Sequence, residues 1–391
     1  MVGVVGAGQL ARMMQPAAIA LGIPLRLLAE ADDASAAQVI RDVTLGDYTD
    51  LDTLEAWAKD CAVVTFDHEH VPTGHLDRLA ATGHTPRPGP AALVHAQDKA
   101  VMRLRLTALG VPCPRHAVVS SPGDVGDFGA AVGGFPVVLK VSRGGYDGRG
   151  VWVVADEAAA ADVFASVPPE IALLAEERVE FRRELAALVA RSPSGQVAAY
   201  PVVESVQRDG ICVEVVAPAP DLDPDLAVEA QRLAIGVATE LDVTGILAVE
   251  LFETTDRRVL VNELAMRPHN TGHWSIDGAV TSQFENHLRA VLDLPLGAPQ
   301  ARARWSVMVN ILGGSAATLY DGYPHVHARD PSVRVHLYGK QVRQGRKVGH
   351  VTAYGDDLDV VRERARHAAQ WFEGRLGDDG SIFDDDEGAG R

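Results

Sequence analysis

The chain has 391 residues, 47% of them hydrophobic and 23% charged, and carries a net charge of −17 at pH 7. Such a length supports about two or three domains with full cores. A chain this acidic is poorly suited to nucleic acid or anionic membrane as its main partner, so any basic cluster in it must serve a local purpose.

Residues 1–96 alternate short apolar strands, at 2–5, 25–29 and 62–66, with helical periods over 10–21 and 51–59. That alternation predicts a parallel sheet of Rossmann type. Gly6-Ala7-Gly8-Gln9-Leu10-Ala11 follows the first strand and opens the first helix, and Glu30 stands near where a ribose-binding acid belongs. Taken alone, this is the fingerprint of an NAD(P)-dependent oxidoreductase. The same helix N-terminus could instead take a substrate phosphate. The strand starting at Val2 leaves no room for a cleavable leader, and no run of about 18 apolar residues suggests a membrane span. Cys61, Cys113 and Cys212 lie far apart without metal-ligand spacing, which fits reduced thiols in a cytoplasmic protein.

The connector Thr85-Pro86-Arg87-Pro88-Gly89-Pro90 punctuates the chain. A helix over 99–109 then leads into a smaller second unit, 97–172. In it, apolar runs at 135–141 and 151–154 read as strands flanking Ser142-Arg143-Gly144-Gly145-Tyr146-Asp147-Gly148-Arg149-Gly150. Four glycines in seven residues let main-chain N–H groups approach an anion, while Lys140, Arg143 and Arg149 supply charge. No Gly-Lys-Ser/Thr follows and the next segment is a strand, so this is not a Walker A loop. A solvated hairpin is the plainer alternative, but it needs only about one or two glycines.

The third unit, 173–377, has strand patterns at 171–175, 185–190, 197–203, 246–252, 259–264, 305–312 and 333–338, with a helix over 224–241. The mixture predicts an antiparallel sheet backed by helices. Residues 378–391 form an acidic, glycine-bearing tail that is expected to be disordered.

The segment Ala248-Val249-Glu250-Leu251-Phe252 and the segment Val259-Leu260-Val261-Asn262-Glu263 read as a hairpin. If its turn centres on Asp256-Arg257, Glu250 faces Glu263. Two opposed carboxylates repel, at a cost of up to about 1 kcal/mol, unless a cation lies between them. Mg²⁺ meets that need with one or two carboxylates plus substrate phosphates; pairing with Arg257 or Arg258 in solvent is the alternative. Arg267-Pro268-His269-Asn270-Thr271-Gly272-His273-Trp274 follows and could hold a small oxyanion beside the metal. Lys340-Gln341-Val342-Arg343-Gln344-Gly345-Arg346-Lys347 is a basic cluster suited to a phosphate, or a solvated turn.

Together these segments resemble 5-(carboxyamino)imidazole ribonucleotide synthetase, an ATP-grasp ligase family of purine biosynthesis. The resemblance runs from Gly6 to about His350 and rests on Gln97-Asp98-Lys99, Val138-Leu139-Lys140, GGYDGRG, Glu176-Glu177-Arg178-Val179, Glu184, Gln207-Asp209-Gly210-Ile211, Asn262-Glu263-Leu264, RPHNTGHW and GRKVGH. It implies an α/β (α+β) architecture of three domains, an ATP-grasp fold preceded by a Rossmann-like parallel-sheet domain. It also implies ATP between the second and third domains. Lys99 and Lys140 would contact the phosphates under a lid containing Gly145, Tyr146, Asp147, Gly148, Arg149 and Gly150. Glu176, Glu177, Arg178 and Val179 would form the adenine hinge, Glu184 would hold the ribose, and Gln207 and Asn262 would add ATP contacts. Glu250 and Glu263 would bind Mg²⁺, while Arg267 and His269 would stabilise carboxyphosphate made from bicarbonate. Tyr146, Asp147, Arg149, Glu69, Lys340 and Arg346 would surround aminoimidazole ribonucleotide, with Asp147 as acid or base. A cytoplasmic homodimer is implied. The rival readings are an NAD(P)-dependent oxidoreductase, a biotin carboxylase and a formate-dependent glycinamide ribonucleotide transformylase.

Overall fold

The computed structural model describes residues 1–145, 148–316 and 318–376, arranged around three sheets. The first is parallel. It comprises β1 (Val2–Val5), followed by α1 (Gln9–Leu21), then β2 (Leu25–Ala29), β3 (Asp42–Leu45), α2 (Leu51–Ala58), β4 (Val63–Phe66) and α3 (Thr73–Ala81). The strand order is β3-β2-β1-β4. β1 and β4 are buried along their whole length, as expected for strands covered on both faces. β3 lies outside the sequence expectation, because Asp-Val-Thr-Leu is a half-exposed edge strand with little apolar signal.

Helices α4 (Pro90–Gln97) and α5 (Lys99–Ala108) lead to the second sheet. Asp98 caps α5 by accepting from the N–H groups of Ala100 and Val101. The sheet is built from β5 (His116–Val119), β6 (Val137–Val141), β7 (Val151–Val154) and β8 (Leu173–Glu177), with α6 (Pro122–Val132) and α7 (Glu157–Ser166) packed against it. Its order is β5-β8-β6-β7, antiparallel throughout. Sequence alone assigns β8 to the opening of the third unit. It pairs here instead because Leu173 and Ala175 complete the core formed with Val137 and Leu139, so the second sheet continues past residue 172.

The third sheet has nine strands: β9 (Phe181–Arg191), β10 (Val197–Ala199), β11 (Val203–Arg208), β12 (Ile211–Ala217), β13 (Gly245–Thr254), β14 (Val259–Ala265), β15 (Trp305–Leu312), β16 (Arg334–Leu337) and β17 (Lys347–Gly355). The path is β14-β13-β9-β11-β12-β15-β17-β16, with β10 on β9. The strand expected over 197–203 is split, since Pro201 has no N–H to donate to the ladder. Its helices are α8 (Pro224–Glu240), α9 (Ser275–Gly278), α10 (Gln283–Val291), α11 (Tyr323–Arg329) and α12 (Leu358–Glu373). One core joins Val5, Leu28 and Phe66 of the first sheet to Val249 and Leu264 of the third and to Met266 just after it. Phe284 and Leu288 of α10 bury against α1 in a second core. These two cores hold the C-terminal end of the parallel sheet against β13 and β14, where the site lies.

Candidate functional site

A cavity of about 1000 Å³ runs between the second and third sheets and ends at the carboxyl edge of the first. The loop joining β6 to β7 borders it through Gly144, Gly145 and Gly148. Its base is closed by the Val141 N–H donating to the Gly150 carbonyl at 2.9 Å. At Gly148, φ is +75°, and a Cβ would lie 3.2 Å from Gly210 Cα in the β11–β12 turn. The loop therefore rests on the third sheet, and a glycine allows both the backbone angle and the contact. Tyr146 and Asp147 lie outside the described residues. Arg149 and Gly150 are not among the lining residues, and Arg143 is drawn away to Asp98 at 2.8 Å.

Beneath the loop, Lys140 donates to Glu176 at 2.7 Å and to Asn262 Oδ1 at 3.0 Å. Glu176 also accepts from Arg103 at 2.6 Å, and Arg103 donates to the carbonyls of Val261 and Asn262. Arg103 is fully buried, and charges at such depth persist only when paired. Burial opposes ionisation of Glu176, but Lys140 and Arg103 override it and hold the carboxyl at about 2. The Glu176 side chain is thus committed to this triad, and Glu176, Glu177, Arg178 and Val179 all line the cavity. Phe181, stacked on Phe252 at 4.7 Å, adds an apolar wall with Val138 and Val153. Sequence reading misses Arg103; its position one turn after Lys99 on α5 is the available signal.

Glu250 and Glu263 are direct cross-strand partners on β13 and β14, with a bulge at Glu250/Leu251. Asn262 is the unpaired residue of that bulge. An extra residue breaks the strict alternation of faces, so consecutive Asn262 and Glu263 both line the cavity. Burial, then Glu263 and Glu184, push the Glu250 carboxyl up to about 8. Lys99 donates to Glu263 at 2.5 Å. Arg257 and Arg258 pair with Asp223 and Asp256 instead, so the solvent-paired alternative does not hold. Glu184 also lines the cavity, its carboxyl raised by burial against the pull of Lys140. Gln207 lines it too and donates to Ser205 Oγ at 2.9 Å.

His269 Nε2 lies 3.3 Å from Glu250 Oε1. Burial, with Arg267 and Lys347 nearby, lowers His269 to about 3 and keeps the ring neutral. Nδ1 lies 2.8 Å from Thr271 Oγ1 and 3.4 Å from the Thr271 N–H, so Nε2 is the ring nitrogen that faces Glu250. Arg267 donates from Nε to Glu69 at 2.7 Å, and Glu69 also accepts from the Met266 N–H. Lys340 donates to Gln9 on the cavity wall. Arg346 is exposed and outside the lining. Lys347, the last residue of the same basic cluster, does line the cavity.

The first glycine motif is occupied from within. Asp67 accepts from the Gly8 N–H at 2.9 Å and the Ala11 N–H at 2.7 Å. A carboxyl group of the chain's own thus sits at the α1 N-terminus, where a dinucleotide would place its pyrophosphate. No helix among the described residues is long and apolar enough to cross a membrane.

Comparison with known proteins agrees with this arrangement. A ribonucleotide synthetase preATP-grasp domain matches residues 1–97, an ATP-grasp domain matches 104–284, and a phosphoribosylaminoimidazole carboxylase C-terminal domain matches 306–364. The N5-carboxyaminoimidazole ribonucleotide synthase of Mycobacterium tuberculosis is 56% identical over 376 residues, covering 95% of this chain and 87% of the relative. That of Corynebacterium ammoniagenes is 52% identical over 378 residues, covering 95% and 91%. The crystal structure of the Thermus thermophilus synthetase superposes with a TM-score of 0.86 at 37% identity, covering 95% of this chain and 98% of that one. An Aspergillus clavatus synthase solved with ADP and 5-aminoimidazole ribonucleotide gives 0.86 at 31% identity, covering 95% and 98%. The opposed glutamates, the glycine loop and the three matched domains converge: the chain belongs to the N5-carboxyaminoimidazole ribonucleotide synthase family of ATP-grasp ligases.

Proposed function

We propose that this chain carboxylates the exocyclic amine of 5-aminoimidazole ribonucleotide with bicarbonate, consuming ATP and releasing ADP and phosphate. The observation that carries the reading is the continuity of one cavity, from the apolar wall at Phe181, past Glu250 and Glu263, to Arg267 and Glu69. A nucleotide, a small oxyanion and an acceptor amine can lie along it in that order. ATP would pack its base between Phe181 and the 176–179 main chain, its ribose near Glu184 and its phosphates near Lys99, Lys140 and the glycine loop, with Gln207 and Asn262 alongside.

Glu250, Glu263 and Asn262 offer hard oxygen donors, and the Glu250 carboxyl is raised by burial and by its two neighbouring glutamates. That donor set fits Mg²⁺, whose remaining coordination positions phosphates and water would fill. When bound, Mg²⁺ supplies neutralising charge to the transferring phosphoryl group. Transfer of that group to a bicarbonate oxygen makes carboxyphosphate, a far better electrophile. Arg267, fixed by Glu69, and the Nε2 side of His269 would bind its oxygens. The substrate amine then bonds to the carboxyl carbon, or to CO₂ released from it; phosphate departs and the amine proton passes to a base, a role assigned to Asp147. Tyr146, Arg149, Glu69, Lys340 and Arg346 would hold the ribonucleotide, and the loop would keep water from the intermediate. The protein acts as a cytoplasmic homodimer in this reading, which sedimentation at micromolar concentration tests.

The assay is ADP release with ribonucleotide and bicarbonate each omitted in turn. Full release should require both. Undiminished release without ribonucleotide refutes the reading, and substitution of formate for bicarbonate with full activity moves the chain to the formate-dependent ligases.

A further inference from the structure

The loop carrying Arg267 and His269 encloses one fully buried amide, that of Gln283, the first residue of α10. The His269 N–H donates to Gln283 Oε1 at 2.8 Å, and Gln283 Nε2 donates to the His269 carbonyl at 2.7 Å. One side chain thus makes the two-bond exchange that a neighbouring β-strand residue would make. His269 accordingly has extended geometry, φ −122° and ψ 153°, although the next residue begins a short 3₁₀ turn. Gln283 Nε2 also approaches His273 Nδ1 at 3.0 Å. Its own N–H donates to Ser275 Oγ, which in turn donates to the Gly272 carbonyl at 2.6 Å. The fit leaves no slack at Gly272, where a Cβ would stand 2.4 Å from Gln283 Oε1.

We infer that Gln283 is a positioning residue for carboxyl transfer: its amide locks the His269 main chain so that the imidazole reaches Glu250 and the oxyanion site. The inference rests on the reading given under Proposed function. Gln283 itself is sealed behind the loop, so it acts through His269. Its anchorage on α10, which packs against α1, ties the loop's geometry to the first unit.

Two variants test this. Gln283→Leu removes both bonds, while Gln283→Glu keeps the acceptor and, when protonated, restores a donor of the same shape. Carboxylated product and ADP are measured together, from about pH 6 to about pH 9, the range over which a buried glutamic acid loses its proton. Gln283→Leu should form product about 100-fold more slowly than wild type at every pH, the scale of a misplacement of about 1 Å. Its affinity for a non-hydrolysable ATP analogue should be unchanged, and ADP should exceed product because carboxyphosphate is lost to water. Gln283→Glu should approach wild type at low pH and fall toward the leucine variant as pH rises. Wild-type coupling in both variants, or a glutamate variant that tracks the leucine variant at every pH, overturns the inference. Wild-type protein that shows no ribonucleotide-dependent ADP release instead overturns the functional reading and this inference with it.

Discussion

Replacing Glu250 with glutamine separates the energetic cost of the opposed carboxylates from their use. In the metal-free protein the Glu250 carboxyl is raised from 4.5 to about 8, chiefly by burial and then by Glu263. Below the unfolded value both states hold the proton and nothing is lost. As pH rises from there toward 8, the unfolded chain ionises while the folded one keeps its proton, so stability falls across that window. At about 1.36 kcal/mol per unit, the ceiling is roughly 5 kcal/mol. The side chain retains 23% exposure, so the full burial penalty does not apply, and the realised cost should be roughly 1–3 kcal/mol. Glutamine matches the protonated carboxyl in shape and cannot ionise. In chelator-treated samples, Glu250→Gln should melt with wild type near about pH 5 and a few degrees above it near about pH 8.5, at roughly 2–4 °C per kcal/mol. With ATP and Mg²⁺ present the order should reverse, and the variant should release no ADP. A variant less stable than wild type at both pH values, or one gaining the same stabilisation from nucleotide and metal, would refute the reasoning.

Arg103→Met should lower stability by roughly 3–5 kcal/mol, because Glu176 keeps a buried charge with one cation fewer; a denaturant titration with an unchanged midpoint contradicts this. Lys340→Ala should raise KM for the ribonucleotide far more than KM for ATP, and the opposite split would misplace the two substrates. His287, lowered to about 3 by burial and bonded to Thr65 and the Ile246 N–H, is neutral in the fold. Its contribution is complete above 6.5 and declines as acid protonates the unfolded chain, so His287→Gln should flatten the acid limb of the stability curve below that pH. If the glycine loop covers the nucleotide and holds the ribonucleotide as proposed, a non-hydrolysable ATP analogue should tighten ribonucleotide binding in calorimetry; equal affinities with and without it would uncouple the loop from the second site.

The hairpin bearing Glu250 and Glu263 is legible in the sequence because strand alternation and a polar turn fix register locally. Even so, the structure reaches the expected pairing by a different route. Near the turn Glu253 faces Val259, one step out of the register that would oppose Glu250 and Glu263, and the extra residue Asn262 restores it. A bulge leaves no signal in the hydrophobic pattern, yet here it turns Asn262 into a cavity residue. The Gly6–Gly8 motif misleads for the complementary reason. Its strand, turn and helix are present as read, but its acceptor comes from Asp67, 59 residues away from Gly8. Arg103 and Glu176, 73 residues apart, escape notice likewise. Local periodicity fixes elements, while the partner of a buried charge comes from whichever sheet the tertiary fold brings near.

The two lysines under the glycine loop differ in what they can give up. Lys140 is bound to Glu176, whose side chain is only 3% exposed and is shared with Arg103. Breaking that pair would leave a buried carboxylate with one cation fewer, so Lys140 stays where it is and presents a fixed charge. Lys99 is bound to Glu263, whose side chain is 40% exposed. Lys99 is half-buried, so this partly exposed pair exchanges partners at less cost than a fully buried one. In the proposed function, a cation taken by Glu263 would free Lys99 to turn toward a phosphate. If these lysines bind phosphate as proposed, the acidic chain keeps both cations in place before substrate arrives, one held by a buried carboxylate and one by a partly exposed one.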